Sequence, residues 1–268
     1  MIVEFIGCTG AGKSTLVAQL RQELSQQAHV VSSFEVVAAR LGLSHIAQPT
    51  VQNLIQEVAG LPFFLSSLPS QQRFLRFTLQ MMARQGNFNF YSFNHLRSLE
   101  RTIGVDGFIR SAGERQGTQP IVFVDEGTIV PAHNIFVYND VAYSAQEINR
   151  YAELAPLPDV LVYVRAPIEQ LIKRTQQRPD PPREMRGQSA ARIEYFIRRA
   201  DAMFEQLVSN SRLQQRLLLV DAPEKGDALY GATVQQLAQQ LLKSAVSATG
   251  TQGSTAETNR NSVHARKN

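Results

Sequence analysis

Eight residues near the amino terminus carry the clearest chemical pattern of the chain. They are Gly7, Cys8, Thr9, Gly10, Ala11, Gly12, Lys13 and Ser14, and they fit the phosphate-binding pattern G-x-x-x-x-G-K-[S/T]. In such a loop, backbone N–H groups surround phosphate oxygens, the lysine reaches the β- and γ-phosphates, and the final hydroxyl binds Mg²⁺. We therefore predict that these residues and Thr15 bind ATP, with Lys13 catalytic and Ser14 a Mg²⁺ ligand. The alternative is a glycine-rich turn that binds nothing.

A carboxylate follows one of the apolar runs of the chain. Asp125 comes directly after Ile121–Val124, and the carboxyl ends of parallel strands meet at one edge of a sheet. We expect Asp125 beside the phosphate loop, as a catalytic residue and the second Mg²⁺ ligand. A helix N-cap or a surface ion pair is the alternative. Glu126 follows immediately, and an Asp-Glu pair at this place is also what hydrolytic ATPases use to activate water.

A basic segment lies in the second half of the chain. Between Arg165 and Arg199 there are nine basic and four acidic side chains, whereas the whole chain has a net charge of +4. This concentration indicates one anion site and makes a general nucleic-acid surface unlikely. A helix begins after Pro167, and a polar loop follows it before Ser189 caps the next helix. We predict a lid at about residues 178–188 that closes over phosphates, with a solvated basic turn as the alternative. The arginines expected to bind there are Arg174, Arg178, Arg183 and Arg186.

Five short apolar runs alternate with helical patterns, which predicts a three-layer α/β/α fold around a five-stranded parallel sheet. The runs are residues 1–6, 29–34, 121–124, 160–164 and 217–220. A helical insertion is predicted at about residues 49–117, within a single domain of residues 1–243. Residues 244–268 are rich in Ser, Thr, Gly, Asn and Ala, which predicts a disordered tail.

Composition limits the class of protein. The 268 residues include one cysteine, and the five histidines show no metal-ligand spacing with it. No apolar run approaches the ~20 residues of a membrane span. These observations predict a cytoplasmic protein that has no internal disulfide and no membrane partner.

These residues together resemble the nucleoside and nucleotide kinases, especially the deoxynucleoside kinases and thymidylate kinases. The closest stretch is residues 162–169, continuing through Arg174 and Arg178 to Glu194-Tyr195 and Phe204-Glu205. The resemblance implies phosphoryl transfer from ATP-Mg²⁺ on a P-loop fold. It also places a catalytic carboxylate near the acceptor hydroxyl after the second strand, where this chain has Glu35. Related folds often pair through helices, so a homodimer is an expectation that no residue of the sequence fixes.

The segment after the third strand departs from this resemblance. The family usually carries an acid followed by an arginine there, whereas this chain has Asp125-Glu126-Gly127. An added carboxylate would repel an anionic acceptor by about 1 kcal/mol at contact in water. A neutral hydroxyl acceptor such as a nucleoside, sugar or other polyol is compatible, unless Arg97 or Arg101 supplies the missing charge. The sequence thus predicts an ATP-dependent small-molecule kinase, with an ATPase or nucleotide-dependent regulatory module using Asp125 and Glu126 as the alternative.

Overall fold

The computed structural model describes the backbone of residues 1–84, 90–113, 120–137, 142–182, 185–222 and 228–264. Within these ranges the side chains of residues 90–93, 113, 228 and 248–264 are not described. In chain order the elements are β1 (Ile2–Ile6), α1 (Lys13–Leu24), β2 (Val30–Ser32), α2 (Ser33–Leu41), α3 (Pro49–Arg84), α4 (Phe90–Gly113), β3 (Ile121–Val124), α5 (Pro131–Phe136), α6 (Ala145–Leu154), β4 (Val160–Arg165), α7 (Ile168–Gln176), α8 (Ala190–Val208), α9 (Ser211–Gln214), β5 (Leu217–Asp221) and α10 (Ala228–His264).

The five strands form one parallel sheet in the order β2-β3-β1-β4-β5. The central strand, β1, aligns Glu4 with Val124 of β3 and Ile6 with Tyr163 of β4. Because the strands are parallel, the segments that follow β1 and β3 leave the sheet at the same edge. The predicted α/β fold with a five-stranded parallel sheet is confirmed.

The side chains of β1 alternate between two apolar layers, as a central strand requires. Ile2 packs with Val105 and Ile109 of α4 in a small cluster on one side. Phe5 belongs to the larger core cluster, which includes Leu20 of α1. Both faces of the sheet are therefore covered by helices, and this burial explains why its strands are continuous apolar runs.

The second strand is shorter than its apolar run suggests. The predicted strand extends to Phe34, but β2 ends at Ser32 and α2 begins at Ser33. The Ser32 hydroxyl accepts a hydrogen bond from the Glu35 backbone N–H, and the Glu35 carboxylate accepts one from the Ser32 backbone N–H. This reciprocal capping box stabilises the start of the helix at the expense of the strand.

Two long helices, α3 and α4, occupy the chain between α2 and β3, where the sequence predicts a helical insertion. α3 contains Pro62 and Pro69 and exposes a series of large apolar side chains. These are Leu54, Val58, Leu61, Leu65, Leu68 and Leu79. The homodimer expected from the resemblance stays a prediction.

The predicted lid lies between α7, which ends at Gln176, and α8, which begins at Ala190. The Ser189 hydroxyl accepts from the Arg192 backbone N–H, so the predicted cap is present.

The last helix, α10, continues to His264, past the residue at which the composition predicts a tail. Since the side chains beyond Ser247 are not described, the domain boundary at residue 243 stays a prediction. Across the described helices, none combines the length and the apolar character that a membrane crossing requires.

Candidate functional site

The loop of residues 7–12 joins the central strand to α1 in a conformation that depends on glycine. Gly7, Gly10 and Gly12 have positive φ angles of 137°, 85° and 89°. A Cβ on Gly7 would also overlap the carbonyl oxygen of Val164 in the neighbouring strand β4. The sequence pattern and the backbone geometry therefore agree, since only glycine combines this conformation with so close an approach.

Lys13 begins α1 and folds back over the loop. Its Nζ atom donates to the carbonyl oxygens of Gly7, at 2.6 Å, and Cys8, at 2.9 Å. The pKa of Lys13 is lowered to about 8, mainly by burial, with the Cys8 side chain acting in the opposite direction and the positive charge of Arg178 adding to the decrease. The ammonium group is thus held across the loop, where a phosphate would be a better partner than two carbonyl groups.

The hydroxyl groups of Ser14 and Thr15 belong to exposed residues in the first turn of α1. The amino end of a helix favours anions because its first N–H groups have no partner within the helix.

Cys8 is buried in the loop, with Sγ 3.9 Å from Asp201 Oδ1, and burial raises its pKa to about 12. A thiol of that pKa is protonated at neutral pH, in keeping with a structural role for Cys8.

Asp125 and Glu126 leave the sheet at the same edge as the phosphate loop. Asp125 as a residue is solvent-exposed. Partial desolvation of its carboxyl group and the negative charge of the neighbouring Glu126 raise its pKa. The Glu126 carboxylate accepts hydrogen bonds from Arg101 at 3.0 Å and Ser98 at 3.5 Å. The two adjacent carboxylates therefore have different surroundings, because Glu126 is bound to α4.

The sequence analysis missed Glu4, a buried carboxyl group in the middle of β1. Its Oε1 atom accepts hydrogen bonds from the backbone N–H groups of Ile129 and Val130, both at 2.9 Å. Burial raises the pKa of Glu4 to about 7, against the effect of the backbone hydrogen bonds. Glu4 fixes the segment that carries Asp125 and Glu126. The one signal in the sequence was an acidic residue inside an otherwise apolar strand.

A cavity of about 410 Å³ lies between this sheet edge and the helical insertion. Its walls are the segments that follow β2 and β3, the first turns of α3, and one side of α4. The polar side chains that line it are Glu4, Ser32, Ser33, Gln52, Asn53, Gln56, Arg101, Thr102, Asp106, Asp125, Glu126 and Thr128. A volume of this size accommodates a small molecule, and the polar lining favours one rich in hydrogen-bonding groups.

Two residues of α7 contact the phosphate loop. Arg174 donates to the carbonyl oxygen of Gly10 at 3.4 Å, and Thr175 donates to that of Thr9 at 3.3 Å. Arg178 is exposed after the helix and close enough to affect Lys13 electrostatically. α7 therefore brings Arg174 to the loop, and Arg178 follows the end of this helix. Phosphate binding by these two arginines stays a prediction.

The two other arginines of the predicted lid are Arg183 and Arg186. Arg186 pairs with Asp180 at 2.6 Å and donates to the carbonyl oxygen of Pro181 at 3.2 Å. Its guanidinium group is therefore engaged within its own loop. Arg183 lies outside the described residues. For both arginines, binding to phosphate stays a prediction.

Glu35 does not line the cavity next to Asp125. Its carboxylate accepts from Arg21 at 2.5 and 2.6 Å and from the Ser32 backbone N–H at 2.6 Å. Burial raises the pKa of Glu35, but these hydrogen bonds outweigh it and the pKa is lowered. Glu35 lines a separate cavity with His29 and Pro120. The Ser-x-x-Glu pattern of residues 32–35 was the signal for this capping position.

Comparison with known proteins gives matches among solved structures alone. No family model matches the chain, and no curated protein does. A deoxyadenosine kinase from M. mycoides, with dCMP and dCDP bound, has a TM-score of 0.44 and 13% identity, over 91% of this chain and 99% of that one. The same enzyme with bound dATP has a TM-score of 0.40 and 15% identity, over 90% and 99%. A shikimate kinase from Bacteroides thetaiotaomicron has a TM-score of 0.39 and 14% identity, over 91% and 98%.

The fold is that of a P-loop protein. This conclusion depends on the sheet order, on the strand-loop-helix unit at residues 2–24, and on the position of Asp125 at the end of the neighbouring strand.

Proposed function

We propose that this protein is an ATP-dependent kinase of a small hydroxyl compound. One observation carries the proposal: the phosphate loop and Asp125 share a sheet edge with a polar cavity large enough for an acceptor. A P-loop kinase needs a nucleotide site and an acceptor site side by side, because it catalyses mainly by positioning and by electrostatic stabilisation.

In this proposal Lys13 leaves the carbonyl groups of Gly7 and Cys8 and binds the β- and γ-phosphates of ATP. The phosphate oxygens then replace two neutral acceptors by charged ones, which bind an ammonium group more strongly, while the loop N–H groups donate to the same phosphates. Arg174 and Arg178 neutralise the charge that develops during transfer, and Arg183 and Arg186 join them when the lid closes. Closure excludes water and so limits unproductive hydrolysis.

Ser14 and Asp125 fit the requirements of a Mg²⁺ site. Both belong to exposed residues at the amino end of α1 and the carboxyl end of β3, and both supply the oxygen ligands that Mg²⁺ prefers. When bound, Mg²⁺ would neutralise phosphate charge and fix the geometry of the triphosphate. The residues of this chain would hold it from the first turn of α1 and from the segment directly after β3.

The alternative is an ATPase or nucleotide-dependent regulatory module in which Glu126 activates water. The hydrogen bonds from Arg101 and Ser98 support the kinase instead, because they hold the Glu126 carboxylate toward α4.

The test is ATP consumption with Mg²⁺, measured alone and with nucleosides, nucleoside monophosphates, sugars and amino sugars. Lys13→Ala serves as the blank, since it removes the main phosphate-binding side chain without disturbing the glycines. ADP release that depends on an acceptor supports the kinase and names its substrate class. Equal release without any acceptor supports the ATPase and contradicts the kinase.

A further inference from the structure

The cavity of about 410 Å³ beside Asp125 is called the acceptor cavity below, because the proposal assigns the acceptor to it. Its charged side chains are predominantly acidic. Four carboxyl groups line it, and Arg101 is the one basic residue among the described residues that do so. The acidic residues are Glu4, Asp106, Asp125 and Glu126. An acceptor that carries a phosphate or carboxylate group would therefore depend on Arg101 for its binding.

Arg101 is already occupied by Glu126. Its guanidinium donates to Glu126 Oε2 at 3.0 Å, and the Arg101 side chain is 19% exposed, whereas that of Glu126 is 61% exposed. The Thr102 hydroxyl also lies 3.4 Å from the backbone carbonyl oxygen of Glu126, so the residue is attached to α4 by its side chain and its main chain. An incoming anion would have to displace the carboxylate or lie beside it.

The other basic residue considered from the sequence is occupied in the same way. Arg97 donates to both carboxylate oxygens of Glu57, at 2.9 and 2.5 Å. This pair lines a neighbouring cavity of about 560 Å³, which shares Asn53, Arg101 and Glu126 with the acceptor cavity. Neither arginine thus offers an unpaired positive charge to an acceptor.

Two of the remaining carboxyl groups are compensated. Asp106 accepts from Arg110 at 2.8 and 3.2 Å, and Glu4 is bound by two backbone N–H groups. Asp125 is left as a negative charge at the sheet edge from which the phosphate loop also leaves. The cavity is therefore neutral to acidic, with uncharged serine, threonine, asparagine and glutamine side chains between the charged ones.

We infer that Glu126 is a specificity-determining residue, which neutralises Arg101 and restricts the acceptor to uncharged or amine-bearing hydroxyl compounds. The inference rests on the proposed kinase function and narrows it. Hydroxyl groups bind the neutral polar lining, an amine is tolerated by the carboxylates, and a phosphate or carboxylate group is repelled by Glu126. Glu126 acts through Arg101 and through charge, and takes no part in the transfer step.

The first test measures binding of inorganic phosphate by calorimetry, with ADP present so that the phosphate loop is filled. Glu126→Gln releases Arg101, and we expect it to bind phosphate roughly tenfold tighter or more than the unmodified protein. Arg101→Gln combined with Glu126→Gln should lose this gain. Glu194→Gln is the matched control, because it releases Arg198 from an exposed ion pair on α8, away from the cavity.

Binding of phosphate that is equal in the unmodified protein and Glu126→Gln would overturn the inference, as would an equal gain in Glu194→Gln. The same measurement without ADP shows whether the nucleotide fills the loop. Phosphate binding does not depend on catalysis. The calorimetric test therefore shows whether Glu126 neutralises Arg101 even if the kinase proposal is wrong.

The second test compares acceptors that differ in one charged group, such as a sugar and its phosphate ester, or a nucleoside and its monophosphate. We expect ADP release by the unmodified protein with the uncharged or amine-bearing member, and extension to the phosphorylated member in Glu126→Gln. Turnover of phosphorylated acceptors alone by the unmodified protein would overturn the inference and leave the kinase intact. Acceptor-independent ADP release in every case would instead contradict the kinase.

Discussion

Gly127 lies against the carboxyl group of Glu4, so closely that a Cβ on the glycine would overlap the Cδ and Oε2 atoms of the glutamate. This contact joins the middle of the central strand to the segment that carries Asp125 and Glu126. The Oε1 atom of the same carboxyl group accepts from Ile129 and Val130. One buried side chain thus holds the segment at three residues that follow Glu126, namely Gly127, Ile129 and Val130.

We predict that Gly127→Ala lowers the free energy of unfolding by about 1–3 kcal/mol, as overpacking of a buried site usually does. It should also weaken Mg²⁺-ATP binding, because Asp125 would be displaced with the segment. Gly231→Ala is the control, since a Cβ there has no heavy atom within 4 Å. Urea denaturation and nucleotide titration of both variants check the prediction, and similar stability of the two would contradict it.

The titration of Glu4 predicts how stability depends on pH. Its pKa is raised from 4.5 to about 7, mainly by burial and also by the charge of Asp106. Ionisation is therefore easier in the unfolded chain, so the stabilisation present below pH 4.5 is lost as the pH rises through about 7. The full loss corresponds to about 3 kcal/mol.

Glu4→Gln should remove this pH dependence while keeping an acceptor for the two backbone N–H groups. Urea denaturation at pH 5 and pH 8 measures the effect as the difference between the two proteins. We expect the unmodified protein to lose more stability than the variant between these values. The same loss in both would show that Glu4 titrates normally.

The lowered pKa of Lys13 predicts that the protein takes up protons when ATP binds. The Lys13 pKa of about 8 in the free protein should rise when phosphate oxygens replace the carbonyl groups of Gly7 and Cys8. At pH 8 binding should then take up roughly half a proton, falling toward zero at pH 6.5. Calorimetry in two buffers of different ionisation enthalpy measures this uptake.

Arg178→Gln provides a check on that prediction, because the positive charge of Arg178 contributes to the lowered pKa of Lys13. The variant should take up fewer protons than the unmodified protein at pH 8. Lys13→Ala should take up none. Heats that do not depend on the buffer in the unmodified protein would contradict the prediction.

For Glu35 the structure predicts a structural effect and little loss of turnover. Its carboxylate is bound by Arg21 and Ser32, and it lines a cavity that Asp125 does not share. We expect Glu35→Gln to keep the rate within about threefold, since loss of a general base typically costs 10²–10⁴-fold. The loss of stability should be about 1 kcal/mol or less, because the ion pair with Arg21 is partly exposed.

The measurement is kcat with the acceptor found in the panel, alongside thermal unfolding. Arg21→Gln removes the same ion pair from the other side and should match Glu35→Gln in stability. A hundredfold fall in kcat for Glu35→Gln alone would assign the general base to Glu35.

Much of the fold could be predicted because its signals are local. The five apolar runs correspond to five strands, Ser189 caps α8, and the glycines of residues 7–12 have the backbone conformations that their pattern requires. The predicted end of β2 was wrong because the capping box of Ser32 and Glu35 starts a helix inside the apolar run. A serine and a glutamate three residues apart compete successfully with strand pairing at that point.

The sequence by itself determined the phosphate loop, the parallel sheet and the edge at which Asp125 lies, because strand, turn and helix preferences act between residues close in the chain. Tertiary structure decided which charges meet. Glu126 binds Arg101, 25 residues earlier, and Glu4 binds the N–H groups of Ile129 and Val130, more than 120 residues later. Such contacts form where packed elements bring buried polar groups together, since each of these groups needs a partner once it is removed from water.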